Sequence, residues 1–204
     1  MTDKVYTPAE ASAVVRLPLK AVHKVLDSRL IRPQRSRQGN HIQRLLSAEH
    51  LVYLRLEAEG VRLLPVATRR EVAREIESAP NADFVAVSGS SALVIQVKSA
   101  RKDVERELKR LHKAQRMAVS DPEIMSGTPV YRGTRVPVDM VAAMLAQGAS
   151  TQEVLEGYPS LNQEQVELAP LYVAAFPRRG RPARRPWAKL KPLHVARYKL
   201  AKKA

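Results

Sequence analysis

The composition of the C-terminal residues 177–204 most strongly limits which part of the chain can form a folded core. Residues 177–204 carry eleven Lys or Arg, several prolines and no carboxylate. A segment this charged and proline-rich cannot bury enough apolar surface to form a core, so we expect it to be disordered in isolation. It keeps apolar side chains between residues 187 and 203, which allow it to fold onto the groove of a partner. The folded part is therefore expected within residues 1–176.

The net charge of +15 is concentrated at the two ends of the chain. Residues 1–46 hold nine basic and three acidic side chains, and residues 47–118 hold thirteen and ten. Residues 119–176 hold two basic and seven acidic side chains, so charge does not favour polyanion binding there. The N-terminal segment and the C-terminal tail, residues 177–204, are the candidate regions for an anionic partner.

Several classes of function have little support in the composition. The chain has no cysteine, and its five histidines fall into no metal-ligand spacing, so we expect neither a metal site nor a cofactor. No Ser/His/Asp set or phosphate-binding glycine loop is present, which argues against an enzyme. No apolar run approaches the roughly 18 residues that span a bilayer, and no secretory leader is visible. We expect a cytoplasmic protein that makes no membrane contact.

The N-terminal segment begins with a helix signal. Thr7-Pro8-Ala9-Glu10 combines an N-cap, a proline at the first helical position and a glutamate that can reach back to the cap. This helix should stop near Pro18, and a second helix over residues 18–28 has one apolar and one basic face. The pair fits a helix-turn-helix or, equally, an ordinary helical hairpin with a solvated face.

The residues after the second helix favour the helix-turn-helix. Strand-forming residues flank the tip Ser36-Arg37-Gln38-Gly39-Asn40, which predicts a basic β-hairpin, or wing, directly after the recognition helix. Such a wing faces phosphates or the minor groove of DNA. The predicted DNA-binding residues are Arg16, Lys20, His23, Lys24, Arg35, Arg37, Gln38, Asn40 and Arg44.

This region resembles the DNA-binding domain of the MerR family. The similarity runs over about 55 residues, on a scale typical of a small domain, and no effector-binding part of that family is recognisable downstream. It implies a dimer that reads a palindromic operator in double-stranded DNA with helix 18–28 and the wing. The matching residues are Tyr6-Thr7-Pro8-Ala9-Glu10-Ala11, Leu30-Ile31-Arg32-Pro33, Arg35, Gly39, Arg44, Ser47, Leu51 and Gly60.

The middle of the chain predicts supporting elements without chemistry of their own. Helices are expected over residues 47–60 and 68–78, followed by a second β-hairpin between residues 84 and 97. A charged helix over residues 98–117 has Val97, Val104 and Leu111 at heptad spacing, with Leu108 beside them. This helix fits a connector and also a weak dimer seam.

Residues 121–138 are dense in Gly, Pro and Thr, which predicts a compact loop with two short extended pieces. Three helices should follow, the second capped by Ser150 and the third starting near Asn162. Pro170 lies inside the third helix, where it should kink or shorten it. Arg132 and Arg135 can contact phosphates or bond loop carbonyls, and the sequence leaves both roles open.

The order of residues in this segment is similar to that of the antitoxin-associated domain-of-unknown-function family 433. The resemblance implies a helix-turn-helix-like domain of VapB-type antitoxins, whose partners are PIN-domain ribonuclease toxins with magnesium-binding carboxylates. We favour dimerisation and toxin docking for this segment. The matching residues are Asp121, Pro122, Gly127, Pro129, Arg132, Gly133, Thr134, Arg135, Pro137, Gly148, Glu153, Tyr158 and Pro159.

The basic tail supplies a way to inhibit such a toxin. An arginine fork can pair with clustered carboxylates in an acidic active site and so displace metal or block RNA. The residues predicted to bind the toxin are Arg178, Arg179, Arg181, Arg184, Arg185, Trp187, Leu190, Leu193 and Tyr198. For any basic tail, the simpler interpretation is non-specific attraction to nucleic acid.

The sequence thus predicts a mainly α protein that joins a MerR-like winged helix-turn-helix and further hairpin to a second small helix-turn-helix-like domain and an extended basic tail. Its function would be that of a type II, VapBC-like antitoxin that inhibits a PIN-domain ribonuclease and represses its own operon. We expect it to form a homodimer and a hetero-oligomer with the toxin. The alternatives are a stand-alone MerR-like regulator with a basic DNA-binding arm, and a basic RNA- or ribosome-associated protein. The predicted segments are residues 1–80, 81–118, 119–176 and 177–204.

Overall fold

A computed structural model describes residues 4–38, 41–87 and 93–178 of the protein. These residues form a mainly α-helical structure with three small two-stranded antiparallel sheets. The helices are α1 (Pro8–Val15), α2 (Leu19–Asp27), α3 (Ala48–Glu59), α4 (Val66–Ser78), α5 (Lys98–Met117), α6 (Val138–Ala146), α7 (Thr151–Gly157) and α8 (Gln163–Ala175). The strands pair as β1 (Gln34–Gln38) with β2 (His41–Leu45), β3 (Phe84–Val87) with β4 (Leu93–Gln96), and β5 (Ala118–Val119) with β6 (Val130–Tyr131).

The start and end of α1 follow from its sequence. The backbone N–H of Thr7 donates to the Glu10 carboxylate at 2.7 Å, and the N–H of Glu10 donates to the Thr7 hydroxyl at 3.2 Å, which completes a capping box. Arg16 ends the helix in a left-handed conformation, with φ of 57° and ψ of 35°. Pro18 then starts α2. The predicted pair of short helices with a tight turn is confirmed.

The first hydrophobic core contains buried residues of the five helices α1, α2, α3, α4 and α5 and of the β3–β4 sheet, together with Ile31 and Leu46, which flank the first hairpin. Its largest fully buried side chains include Tyr53, Ile31, Leu54 and Ile76. The heptad face of α5 also lies in this core, where the four residues Val97, Val104, Leu108 and Leu111 are 0%, 3%, 8% and 1% exposed. The interpretation of that face as a dimer seam is therefore wrong, because the chain covers it with its own α1 and α3.

The second core is built by α6, α7 and α8 around Tyr131, which is fully buried. Helix α8 is shared between the two cores. Val166 and Ala169 pack into the second core, whereas Ala175 packs into the first. The same helix lies against α1, α5 and α6. Residues 119–176 are therefore joined to the N-terminal helices along the length of one helix.

Pro170 does not shorten α8, so that part of the sequence-based prediction is wrong. The helix begins at an Asn162–Gln165 capping box and runs without a break to Ala175. Pro170 occupies an exposed position, while its neighbours Leu168 and Ala169 are buried. Packing on both sides of the proline holds the helical backbone, so tertiary contacts outweigh the local cost of the missing N–H.

Within residues 4–38, 41–87 and 93–178, no helix has the length and apolar character needed to cross a bilayer. The same ranges contain no group of three or more His, Asp or Glu side chains arranged to hold a metal ion.

Candidate nucleic-acid interface

Helix α2 presents a polar face to solvent. Its apolar side chains Val22, Val25 and Leu26 are buried in the first core. The side chains on the opposite face are exposed, and they are Lys20, His23, Lys24 and Asp27. The predicted division of this helix into a core face and a basic outer face is confirmed, except that Leu19, which the periodicity places on the apolar face, is 39% exposed.

The β1–β2 hairpin follows α2 and carries a face rich in arginine. The register pairs Arg35 with Arg44 and Arg37 with Ile42. Because paired residues and alternate residues of a strand point to the same side of a hairpin, these four side chains share one face. The base of the hairpin is fixed by two backbone hydrogen bonds of 2.8 Å between Tyr6 and Leu46, which tie it to the start of α1.

An ion pair joins the hairpin to α2. Nη1 of Arg44 donates to Oδ1 of Asp27 at 2.6 Å, and the two side chains are 40% and 62% exposed. A pair this exposed contributes little to stability because water screens it. The contact shows that the arginine face of the hairpin lies beside the polar face of α2.

The predicted DNA-binding residues fall into three groups. Lys20, His23 and Lys24 lie on α2, and Arg35, Arg37 and Arg44 lie on the hairpin. Arg16 lies apart at the end of α1, where its guanidinium is 3.6 Å from the carboxylate of Glu107 on α5. Asn40 lies outside the described residues, as does the side chain of Gln38.

A groove of about 970 Å³ beside the hairpin brings two predicted site residues, Arg35 and Arg44, together with four arginines that were not predicted as site residues. It lies between the end of α2, the segment that follows it, β1, β2 and α4. Six arginines line it: Arg29, Arg32, Arg35, Arg44, Arg70 and Arg74. Arg70 and Arg74 come from α4 and are at least 26 residues away in the sequence from the other four arginines, so only the tertiary fold places them here.

The two carboxylates that line this groove are already engaged. Asp27 is paired with Arg44. Glu77 accepts a hydrogen bond from Nε2 of His50 at 3.0 Å. Burial lowers the pKa of His50, although the neighbouring Glu77 carboxylate acts in the opposite direction. The groove has a net positive charge, because its six arginines outnumber these two carboxylates and most of the arginines face solvent.

The end of α8 reaches the same side of the protein as the outer face of α2. Phe176 and Pro177 line a second groove together with Leu19, His23 and Ile42. Leu19 and Ile42 are unusually exposed for apolar residues, at 39% and 69%. The basic tail therefore begins next to α2 and β2.

Of the residues predicted to bind a toxin, only Arg178 lies within the described part of the chain. Its guanidinium donates to Oδ2 of Asp139 at 3.0 Å and to the hydroxyl of Thr128 at 2.6 Å. Arg178 is thus tied to α6 and to the loop before it. The remaining residues lie outside the described ranges: Arg179, Arg181, Arg184, Arg185, Trp187, Leu190, Leu193 and Tyr198.

The loop that carries the Gly-Thr-Arg sequence is built by its own backbone contacts. Gly133 has a φ of 79°, a left-handed conformation that favours glycine. The Thr134 hydroxyl donates to the carbonyl of Tyr131 at 2.9 Å and accepts from the N–H of Val136 at 3.1 Å. Nε of Arg132 donates to the carbonyl of Arg116 at 3.3 Å. These contacts favour the structural role for Arg132 rather than a phosphate contact.

The fold and this surface define a class: a mainly α-helical, strongly basic protein with a positive surface assembled from α2, the first hairpin and α4. The chain belongs to the family of the uncharacterized protein y4eO of Sinorhizobium fredii, strain NGR234. The two are 33% identical over 195 residues, which cover 85% of this chain and 82% of the relative.

Residues 119–173 match the family described as protein of unknown function DUF433. The resemblance of this segment to family 433 is therefore confirmed. Among solved structures, Rv2018 from Mycobacterium tuberculosis aligns with 80% of this chain and 96% of its own length, at 17% identity and a TM-score of 0.33. A similarity this low carries no argument about fold or function.

Proposed function

We propose that the protein is a DNA-binding antitoxin whose N-terminal part binds duplex operator DNA and whose tail binds an acidic partner. The observation that carries the DNA-binding part is the placement of two surfaces. The outer face of α2, with Lys20 and Lys24, lies beside the arginine face of the β1–β2 hairpin, and the Arg44–Asp27 ion pair joins them.

This arrangement suits the grooves of B-DNA. A major groove about 12 Å wide admits one α-helix, and an adjacent hairpin can follow the phosphates or enter the minor groove. Helix α2 offers two lysines and His23 for such contacts, and its apolar side is anchored in the core. In this proposal the N-terminal part acts as a MerR-like winged helix-turn-helix that binds a palindromic operator as a dimer.

The antitoxin part of the proposal rests on the order of segments. A family 433 domain over residues 119–173 is followed directly by a tail with eleven basic residues and no carboxylate. Such a tail complements the magnesium-binding carboxylates of a PIN-domain ribonuclease, because arginine pairs with carboxylates through two parallel hydrogen bonds. Arg179, Arg181, Arg184 and Arg185 come first in the tail and are the proposed inhibitory residues, with Trp187 as a neighbouring anchor.

The DNA-binding part is tested with the variant Lys20→Gln/Lys24→Gln and duplex fragments from the promoter of the protein's own operon. We expect weaker binding and a salt slope reduced by about 2, because each lost phosphate contact removes about one released counterion. Arg62→Gln/Lys102→Gln removes the same charge from exposed positions on other elements. Equal losses in both variants would refute a specific role for α2.

The antitoxin part is tested by co-expression with the neighbouring reading frame. The full chain should copurify with an acidic ribonuclease and suppress its toxicity, and a chain ending at Arg178 should lose both properties while still binding the operator. Failure of the neighbour to bind the full chain would refute this part of the proposal and leave the DNA-binding part intact.

One observation favours a second candidate, the stand-alone regulator with a basic arm. Phe176 and Pro177 lie next to Leu19 and Ile42, so the tail starts beside the proposed DNA-binding surface. For this candidate, truncation after Arg178 would weaken operator binding, lower its salt slope and unmask no toxic partner. Stronger competition by structured RNA than by operator DNA would contradict both candidates.

A further inference from the structure

The groove lined by six arginines, here called the arginine groove, contains arginines that form no contacts with acidic side chains of the described chain. Five of its arginines, Arg29, Arg32, Arg35, Arg70 and Arg74, form no side-chain hydrogen bond or ion pair with the described residues. They come from three separate parts of the chain: the segment after α2, strand β1 and helix α4. Like charges that converge on one groove repel each other and raise the local potential, so the arrangement favours a ligand with distributed negative charge.

Other arginines of the protein show what a structural role looks like. Arg69, next to Arg70 on α4, donates to Glu57 at 2.8 and 2.7 Å. Arg101 donates to the carbonyl of Ala79, at the end of α4, at 2.9 Å. Arg70 and Arg74 have no such contacts and face the groove instead. Helix α4 therefore uses one arginine for the core and presents two others on its surface.

The position of the groove favours a phosphodiester backbone as its ligand. Leu26 and Asp27 of α2 line it, and it shares Arg35 and Arg44 with the arginine face of the hairpin. A phosphate backbone that borders the DNA groove occupied by α2 would pass along this surface. Guanidinium groups suit phosphate oxygens because their N–H donors form a planar fork.

We infer that this groove is a binding site for a phosphodiester backbone, which extends the DNA contact from α2 and the hairpin onto Arg70 and Arg74 of α4. The inference rests on the proposed DNA-binding function and adds α4 and the segment after α2 to it. Contacts of this kind position the protein on DNA without reading its sequence.

The test uses the full chain with Arg70→Gln/Arg74→Gln and an operator duplex over a range of salt concentrations. We expect the slope of log K against log salt to fall by about 2. Binding to operator and scrambled duplexes should weaken by the same factor. Arg70→Lys/Arg74→Lys keeps the charge and should restore most of the slope, while Arg62→Gln/Lys102→Gln should leave it unchanged.

Two results would overturn the inference. One is an unchanged slope for the Arg70→Gln/Arg74→Gln variant although Lys20→Gln/Lys24→Gln lowers it, in which case the proposed DNA-binding function stands. The other is loss of an acidic protein partner with unchanged DNA binding, which would assign the groove to that partner. If the unaltered chain binds no duplex DNA, the proposed function fails together with the inference.

Discussion

Glu57 is a carboxylate in the first core, where it is only 4% exposed. It accepts hydrogen bonds from the hydroxyl of Tyr53 and from Nε and Nη2 of Arg69. Burial, and then the hydrogen bond to Glu57, raise the pKa of the Tyr53 hydroxyl, so it stays protonated and remains a donor. The contacts of Glu57 with Arg69 therefore link α3 to α4, the helix that carries Arg70 and Arg74.

The substitution Glu57→Gln should lower the free energy of unfolding by about 3 kcal/mol, because it leaves the guanidinium of Arg69 in a largely buried site without its counter-charge. Urea denaturation at pH 7 measures the change. Glu105→Gln removes the carboxylate of an exposed pair with Lys109 and should have no measurable effect. Equal effects of the two substitutions would mean that Glu57 contributes no more than a surface charge.

His50 gives the protein a pH-dependent contribution to stability. Its Nδ1 accepts from the N–H of Ser47 at 3.0 Å, and its Nε2 lies 3.0 Å from Oε1 of Glu77, so the fold favours the neutral ring with its proton on Nε2. Burial lowers the pKa of His50 below its usual 6.5. Below pH 6.5 the unfolded state therefore binds more protons than the folded state.

From this linkage we expect the contribution of His50 to the free energy of unfolding to be fully present above pH 6.5. It should decrease as the pH falls towards the lower pKa of His50 in the folded state. His50→Gln should flatten part of this dependence, because glutamine at this position can still accept from Ser47 but does not titrate. Urea denaturation at pH 7.5 and at pH 5.5 gives the free energy of unfolding of the unaltered protein and of His50→Gln. Burial also lowers the pKa of His112, which is present in both proteins. The effect of His50 is therefore the difference between the pH dependences of the two proteins. An identical pH dependence in both would contradict this role.

At the scale of elements, local sequence signals predicted the structure where they acted over a few residues. The capping boxes of α1, α7 and α8 act within one helical turn, and the periodicity of α2 extends over only nine residues, so the sequence alone was enough to predict them. Pro170 is different. Its local cost is offset by packing of α8 against three other helices, and those contacts cannot be read from neighbouring residues.

Because Pro170 is exposed, its replacement by alanine removes no core contact. Pro170→Ala should stabilise the protein by about 2 kcal/mol, since alanine restores the backbone hydrogen bond to the carbonyl of Val166 and relieves crowding there. Thermal unfolding measures the gain. Pro8→Ala, at the first position of α1, should instead be neutral or slightly destabilising, because proline is favourable at that position. A loss of stability in Pro170→Ala would show that α8 depends on the proline.

At the scale of the whole molecule, the candidate site was predicted only in part. Lys20, His23, Lys24 and the hairpin arginines were predicted because they lie within thirty residues of each other and follow one periodic pattern. Arg70 and Arg74 were missed, since they enter the groove only after α4 has packed against α3. The contact of Arg178 with Asp139 was missed for the same reason, because 39 residues separate the two. Tertiary packing, rather than local preference, creates these parts of the surface.

Helix α8 connects the two hydrophobic cores. Its residues Val166 and Ala169 lie in the second core, and Ala175 lies in the first. Loss of the second core would remove α8 from its place against α1 and α5 and expose apolar surface of the first core. We therefore expect the two cores to unfold in one cooperative step rather than as independent domains.

Hydrogen exchange of Val141→Ala tests this coupling. Val141 is fully buried in the second core, and its truncation should lower stability by about 2 kcal/mol. In a cooperative molecule the slowest amides of α3 lose the same protection as those of α6, although α3 lies in the other core. Glu156→Gln, on the exposed face of α7, should change the exchange protection of neither α3 nor α6. Loss of protection in α6 alone would show that the N-terminal core keeps its stability without the second, and α8 would then be a contact between independent units.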